Sequence, residues 1–182
     1  MSGDRYKIAD QNALYFVTFT VVNWIDVFTR KAYKIEVVNS LNFCIQQKGL
    51  KVYAWCLMSK HLHLIISADE GFKLSDIIRD FKKFTAKRIL NMIETEPESR
   101  REWMLQQFKF VGTILQRIKN YKFWKDDNHA IELTSKMIEG RLNYIHQNPV
   151  EALIVDNAED YVYSSARDYC GRTGLVEISF LS

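Results

Sequence analysis

Two histidines one residue apart are the first feature of this sequence able to do chemistry: His61-Leu62-His63, opening the segment HLHLIISA. That segment is apolar and β-branched enough to predict a strand from His61 to Ala68. Alternate side chains of a strand share a face. His61, His63 and Ile65 then point one way, and Leu62, Leu64 and Ile66 the other. The second set is wholly apolar and belongs against a core. The first sets two imidazoles within chelating reach of one cation, and imidazole is the commonest metal-binding side chain. The same spacing also describes a pair of partly exposed polar residues with no ligand, which is the more frequent case.

A second candidate lies in Asn143-Tyr144-Ile145-His146-Gln147-Asn148-Pro149-Val150. Ile138, Leu142 and Ile145 form a buried helical stripe, with Tyr144 to one side of it. Asn148 follows Tyr144 by four residues, so the two share a face. A tyrosine nucleophile needs an exposed oxygen and a nearby positive charge that favours the phenolate. An amide oxygen can complete a metal site begun by two histidines. With 9 tyrosines in the chain, an ordinary half-buried aromatic is the alternative for Tyr144.

The elements that must position these residues follow from patterning. Ala13 to Val22 (ALYFVTFTVV) predicts a strand, and a helix follows from about Arg30 to Gln47, stopped by Gly49. Lys51 to Met58 predicts a second strand, hairpin-connected to the one that begins at His61. Ser75 caps a helix running to about Ile93, with Ile77, Ile78, Phe81 and Phe84 on its apolar stripe. Glu94 to Arg101 reads as a loop, and a short strand is expected near Phe108–Val111. Thr134 or Ser135 opens a last long helix that ends near Pro149. The order β-α-β-β-α predicts an α+β, ferredoxin-like antiparallel sheet with helices on one face, plus a C-terminal helix carrying Tyr144.

Composition narrows the class. With 182 residues, 47% hydrophobic and 26% charged, the chain reads as one ordinary globular domain, residues 1–182, with its core at about 13–169. No apolar run reaches the ~20 residues needed to span a bilayer, and the first ten residues do not look like a signal peptide, so a cytoplasmic location is expected. A net charge of +3 permits a nucleic-acid partner without demanding one. Cys44, Cys56 and Cys170 have no metal spacing, and the first two read as core residues.

Four blocks in order carry a resemblance. MSKHLHLII at Met58–Ile66 looks like the pattern M-P-N-H-x-H-L of single-tyrosine transposases. NYIHQNPVEALIV at Asn143–Val155 resembles their Y-I-x-x-N-P-V-x-A-x-x-V, and FWKDDNHAIEL and YVYSSARDY resemble two further blocks. From Tyr15 to Tyr169 the chain thus resembles the REP-associated tyrosine transposases, within the wider HUH endonucleases.

The resemblance implies roles residue by residue. His61 and His63 match the paired metal ligands and Tyr144 the nucleophile. Asn148 matches the polar side chain that completes the metal site, with Gln147 as a weaker candidate. Trp124 and His129 match family positions without an assigned step. It implies a Mg²⁺- or Mn²⁺-dependent endonuclease and strand transferase that forms a 5′-phosphotyrosine on single-stranded DNA beside a hairpin, as a monomer or homodimer. Arg79, Lys82, Lys83, Lys87 and Arg88 form a basic helix face that could hold phosphates, or a solvated surface. Ser59 and Lys60 depart from the family's proline and asparagine. The rival functions are a non-catalytic nucleic-acid-binding protein descended from a transposase, and a hydrolase using activated water.

Overall fold

A computed structural model describes residues 7–114 and 121–181. Its centre is a four-stranded antiparallel sheet of β1 (Tyr15–Thr20), β2 (Leu50–Leu57), β3 (His61–Ala68) and β4 (Ile131–Glu132), in the order β2-β3-β1-β4. This is the strand order of the split β-α-β sandwich that the element pattern predicts. β3 lies in the interior, and its register against β1 pairs Thr18 with His63 and Thr20 with His61.

The alternation of β3 divides two cores. Leu62, Leu64 and Ile66 join Tyr15, Val17 and Phe19 of β1 in the larger one, which is covered by α1 (Lys31–Lys48) and α2 (Leu74–Thr95). Phe16, Ile65, Ala54 and Cys56 face the opposite side and pack with Ile145 of α4 (Ser135–Glu151) in a smaller one. A bulge at Tyr53 adds one residue to β2, which lets both Val52 and Trp55 reach the larger core. Cys44 and Cys56 are buried, and burial pushes the Cys56 thiol up to about 12.

Several expectations are corrected. Phe108–Val111 is not a strand but part of α3 (Arg101–Ile114), whose buried Met104 and Phe108 recur at helical spacing. Residues 115–120, which follow α3, lie outside the described residues. Ser75 does not cap α2; Lys73 holds the N-cap position, and the Ser75 amide donates to the Gln11 side chain at 2.9 Å. Phe84 leaves the buried stripe and is 54% exposed, because the stripe continues through Thr85 and Ile89 instead. The last long helix carries on through Pro149 to Glu151. A proline so near the C-terminus removes one ladder bond, and only two residues follow it before the helix closes. Gly49 ends α1 in the left-handed region at φ 67°, as a glycine stop requires.

The final segment is fastened to this frame. Asn42 of α1 donates to the Leu175 carbonyl and accepts from the Glu177 amide, and the Ser179 amide donates to Val52 of β2 at 2.8 Å. No helix among the described residues is long and apolar enough to cross a membrane.

Candidate functional site

His61 and His63 emerge on the face of β3 that looks toward α4, as strand alternation requires. Their rings lie edge to face with centroids 4.5 Å apart. The three-residue turn Met58–Lys60 sets the start of β3, with the Met58 amide donating to the His61 carbonyl at 2.9 Å. Lys60, one of the departing residues, carries its ammonium over the Trp24 ring at 5.5 Å.

Burial governs the charge of both imidazoles. His63 is 5% exposed, and its pKa falls to about 3 through burial, then through the neighbouring His61 and Arg141. His61 is also lowered by burial, while the Asn148 side chain hydrogen-bonded to it pulls the other way. Both rings are therefore neutral at pH 7, the form that binds metal. Thr18 lies opposite His63 on β1, and its hydroxyl is 2.9 Å from His63 Nδ1. With Nδ1–H donating to Thr18, Nε2 carries a lone pair.

That lone pair has no protein partner. His63 Nε2 and His61 Nδ1 are both buried without a hydrogen bond. Leaving such atoms unpaired costs about 1–3 kcal/mol each, so the site is built for something else to satisfy them. Among the described residues no carboxylate, thiolate or further imidazole completes a three-residue metal cluster. The third polar group is the Asn148 amide. Two neutral imidazoles and an amide fit a divalent cation and leave coordination positions open.

Tyr144 joins from α4. Its ring stands edge-on to His63 at 5.3 Å and to Phe16 at 6.0 Å, and the residue is 41% exposed. Ile145 anchors α4 on the sheet, with Ile138 and Leu142 packed beside it, which turns Tyr144 and Asn148 toward the histidines. Asn148 also reaches back along the helix, donating to the Tyr144 carbonyl at 3.3 Å. Asn148, not Gln147, is the side chain bonded to His61.

Three participants escaped sequence reasoning. Thr18 and Phe16 meet the histidines only through the β1–β3 register, which a sequence does not display. Arg141 stands three residues before Tyr144, a spacing that could have found it. Its guanidinium lies 4.9 Å from the Phe16 ring centroid.

The other candidates are dispersed. Trp124 is buried, stacks on Phe28 and donates from Nε1 to Thr85 at 3.0 Å, a role in the larger core. His129 lies beside Asp127, 3.5 Å away. His146 is bonded to Ser165 at 2.9 Å, and burial lowers its pKa to about 4. The basic residues belong to α2, across the sheet from Tyr144. Arg79 pairs with Asp76 and Asp80, and Arg88 with Glu36. Lys82 turns inward, donating to Asn128 and to the Lys125 carbonyl, and burial pushes its amine down to about 8. Lys83 and Lys87 remain exposed on a groove of about 1260 Å³ that Trp124 also lines.

Residues 10–114, more than half of the chain, match the family model described as transposase, IS200-like. The match includes His61 and His63; Tyr144 and Asn148 lie beyond it. No protein of curated function matches the sequence. Among solved structures, a REP-associated tyrosine transposase bound to a REP hairpin superposes with a TM-score of 0.62 at 20% identity, covering 100% of this chain and 94% of that one. At that identity the likeness is one of fold. A protein of Deinococcus radiodurans R1, assigned as a transposase and solved at 1.90 Å, gives a TM-score of 0.47 at 16% identity over 72% of this chain and 87% of its own.

Proposed function

The chain belongs to the IS200-like transposase family, and on that premise we propose that it nicks and rejoins single-stranded DNA through a covalent tyrosine intermediate. The observation that carries this reading is the meeting of Tyr144 with two neutral imidazoles whose lone pairs lack protein partners. A plain binding module has no use for that arrangement.

His61, His63 and Asn148 are the residues that would hold a divalent cation. Mg²⁺ or Mn²⁺ there would stabilise the negative charge of a phosphodiester under attack. Mn²⁺ suits imidazole better, and Mg²⁺ is the more available ion.

The protein's own part is nucleophilic. Tyr144 loses its phenolic proton to solvent and its oxygen bonds to phosphorus. The bond from phosphorus to the 3′ oxygen breaks, and that oxygen leaves as a 3′-hydroxyl after taking a proton. The product is a 5′-phosphotyrosine, still a phosphodiester, so another 3′-hydroxyl can reverse the exchange without ATP. His63 and Tyr144 of one chain are already adjacent, which supports a nucleophile working with the histidines of its own chain. The substrate is single-stranded DNA next to a hairpin, the kind of ligand that the hairpin-bound relative of the same fold suggests.

A denaturing-gel assay tests this. Purified protein is mixed with Mn²⁺ or Mg²⁺ and a pool of labelled single-stranded hairpin DNAs, beside Tyr144→Phe and His61→Ala. A metal-dependent protein–DNA adduct lost in both variants is expected. Cleavage that survives Tyr144→Phe would replace the covalent route with activated water. Binding that ignores metal and yields no cleavage would mark a binding-only descendant.

A further inference from the structure

Arg141 precedes Tyr144 by three residues on α4, so the two side chains neighbour each other on the helix surface. Phe16 fixes the guanidinium in place by a cation–π contact at 4.9 Å, and that same ring stacks with His63 at 5.7 Å. The charge of Arg141 is felt at His63, where it adds to burial in keeping the imidazole neutral.

Most other described arginines have a carboxylate that Arg141 lacks: Arg30 and Arg100 pair with Glu98 and Asp26, Arg79 with Asp76, Arg88 with Glu36, and Arg172 with Asp160. Arg101 instead donates to the Ile93 and Glu96 carbonyls, and Arg167, on α5 (Ala166–Tyr169) rather than beside His63, shares the lack of a carboxylate. Among the described residues no carboxylate pairs with Arg141. Its neighbours are Phe16, Tyr144 and a neutral His63, and it is half-buried. A cation bound by the histidines would bring a second positive centre close by. Two positive centres side by side are stable when an anion lies between them.

We propose that Arg141 is a phosphate-binding residue whose guanidinium holds a non-bridging oxygen of the phosphodiester attacked by Tyr144. The assignment rests on the nicking reading above, which it deepens. A planar guanidinium suits the task, since it grips phosphate oxygens with two parallel N–H donors where an ammonium offers a point charge. Held by Phe16, it needs little reordering when the strand arrives.

The test uses the whole protein with Arg141→Gln, Arg141→Met and Arg141→Lys, each checked by thermal melting. In metal-free protein, inorganic phosphate is titrated while the ring resonances of His63 and Tyr144 are followed by NMR. Phosphate-dependent shifts are expected in the parent protein, lost with glutamine or methionine and weakened with lysine. With Mn²⁺ and the hairpin DNA pool, Arg141→Gln slows adduct formation by about 100-fold, lysine restores about tenfold of that, and Mn²⁺ affinity does not fall. Adduct formation by Arg141→Gln within twofold of the parent would overturn the proposal. So would phosphate shifts that persist without the arginine, or that never occur in the parent. Phosphate binding through Arg141 with no adduct on any DNA would keep the anion site and refute the nicking reading instead.

Discussion

Replacing Thr18 by valine removes one hydroxyl and keeps the shape and β-branching of the side chain. In the native site that hydroxyl lies 2.9 Å from His63 Nδ1, where it can accept the Nδ1 proton and so leave Nε2 free for a cation. Without it, a proton on Nδ1 has no acceptor, and a buried unpaired N–H costs about 1–3 kcal/mol. The ring relieves part of that cost by moving the proton to Nε2, where it blocks the lone pair a cation needs. At ~1.4 kcal/mol per factor of ten, the bias weakens cation binding by roughly 10- to 100-fold, the usual effect of losing such a supporting hydrogen bond. The assay is Mn²⁺ titration followed by electron paramagnetic resonance, with Thr18→Ser as the control that restores a hydroxyl. Serine is expected to stay within about threefold of the parent. A valine variant that binds Mn²⁺ as tightly as the parent, while its melting temperature drops, would make the Thr18 contact a prop for the sheet and refute its role in choosing the tautomer.

Two further outcomes follow from the charges described above. His63 and His146 are held at about 3 and about 4 by burial, below the ~6.5 of an unfolded chain, so the unfolded state takes up more protons between those values. Stability is therefore full above about pH 6.5 and falls as the pH drops toward 4 and 3; at pH 5 each ring accounts for about 2 kcal/mol. Metal-free protein should melt on the order of 10 °C lower at pH 5 than at pH 7, and His146→Gln should flatten roughly half of that slope; an unchanged slope would contradict the buried neutral ring. On α2, Lys82→Met should destabilise by about 1 kcal/mol by removing hydrogen bonds to two part-buried acceptors and leave the salt dependence of DNA binding alone. Lys83→Ala and Lys87→Ala should each lower the log–log salt slope by about 0.7 if that face tracks a single strand, and slopes equal to the parent's would make it a solvated surface.

The sequence discloses the site unevenly, for physical reasons. His61 and His63 are legible because a strand period of two is rigid: once Leu62, Leu64 and Ile66 are seen to need a core, the imidazoles have only one other face to occupy. Tyr144 and Asn148 are legible because Ile138, Leu142 and Ile145 fix the rotation of their helix. Thr18 and Phe16 stay hidden because cross-strand register is a long-range property, set by how β1 slides against β3. Phe108–Val111 misleads because three apolar residues around Lys109 fit a short strand as well as a helical turn, and only Met104, a turn earlier on the same buried side, decides it. The α2 lysines look alike in a helical projection, yet Lys82 turns into the protein while Lys83 and Lys87 do not. That difference comes from the backbone of 125–128, which no helix pattern contains.

The division of the molecule by its sheet has a kinetic side. The histidines sit on an interior strand whose other face is sealed by the larger core, whereas Tyr144, Asn148 and Arg141 ride on a helix held by the smaller one. Protection from hydrogen exchange follows such differences in packing. The amides of β3 should exchange only when the whole domain opens, and those of α4 through smaller, more frequent excursions. Tyr144 would thus ride on a helix freer to open than the strand that carries His61 and His63. A covalent bond between Tyr144 and a DNA end would then let the attached strand swing away from its cleavage point and return, without unfolding the sheet beneath it.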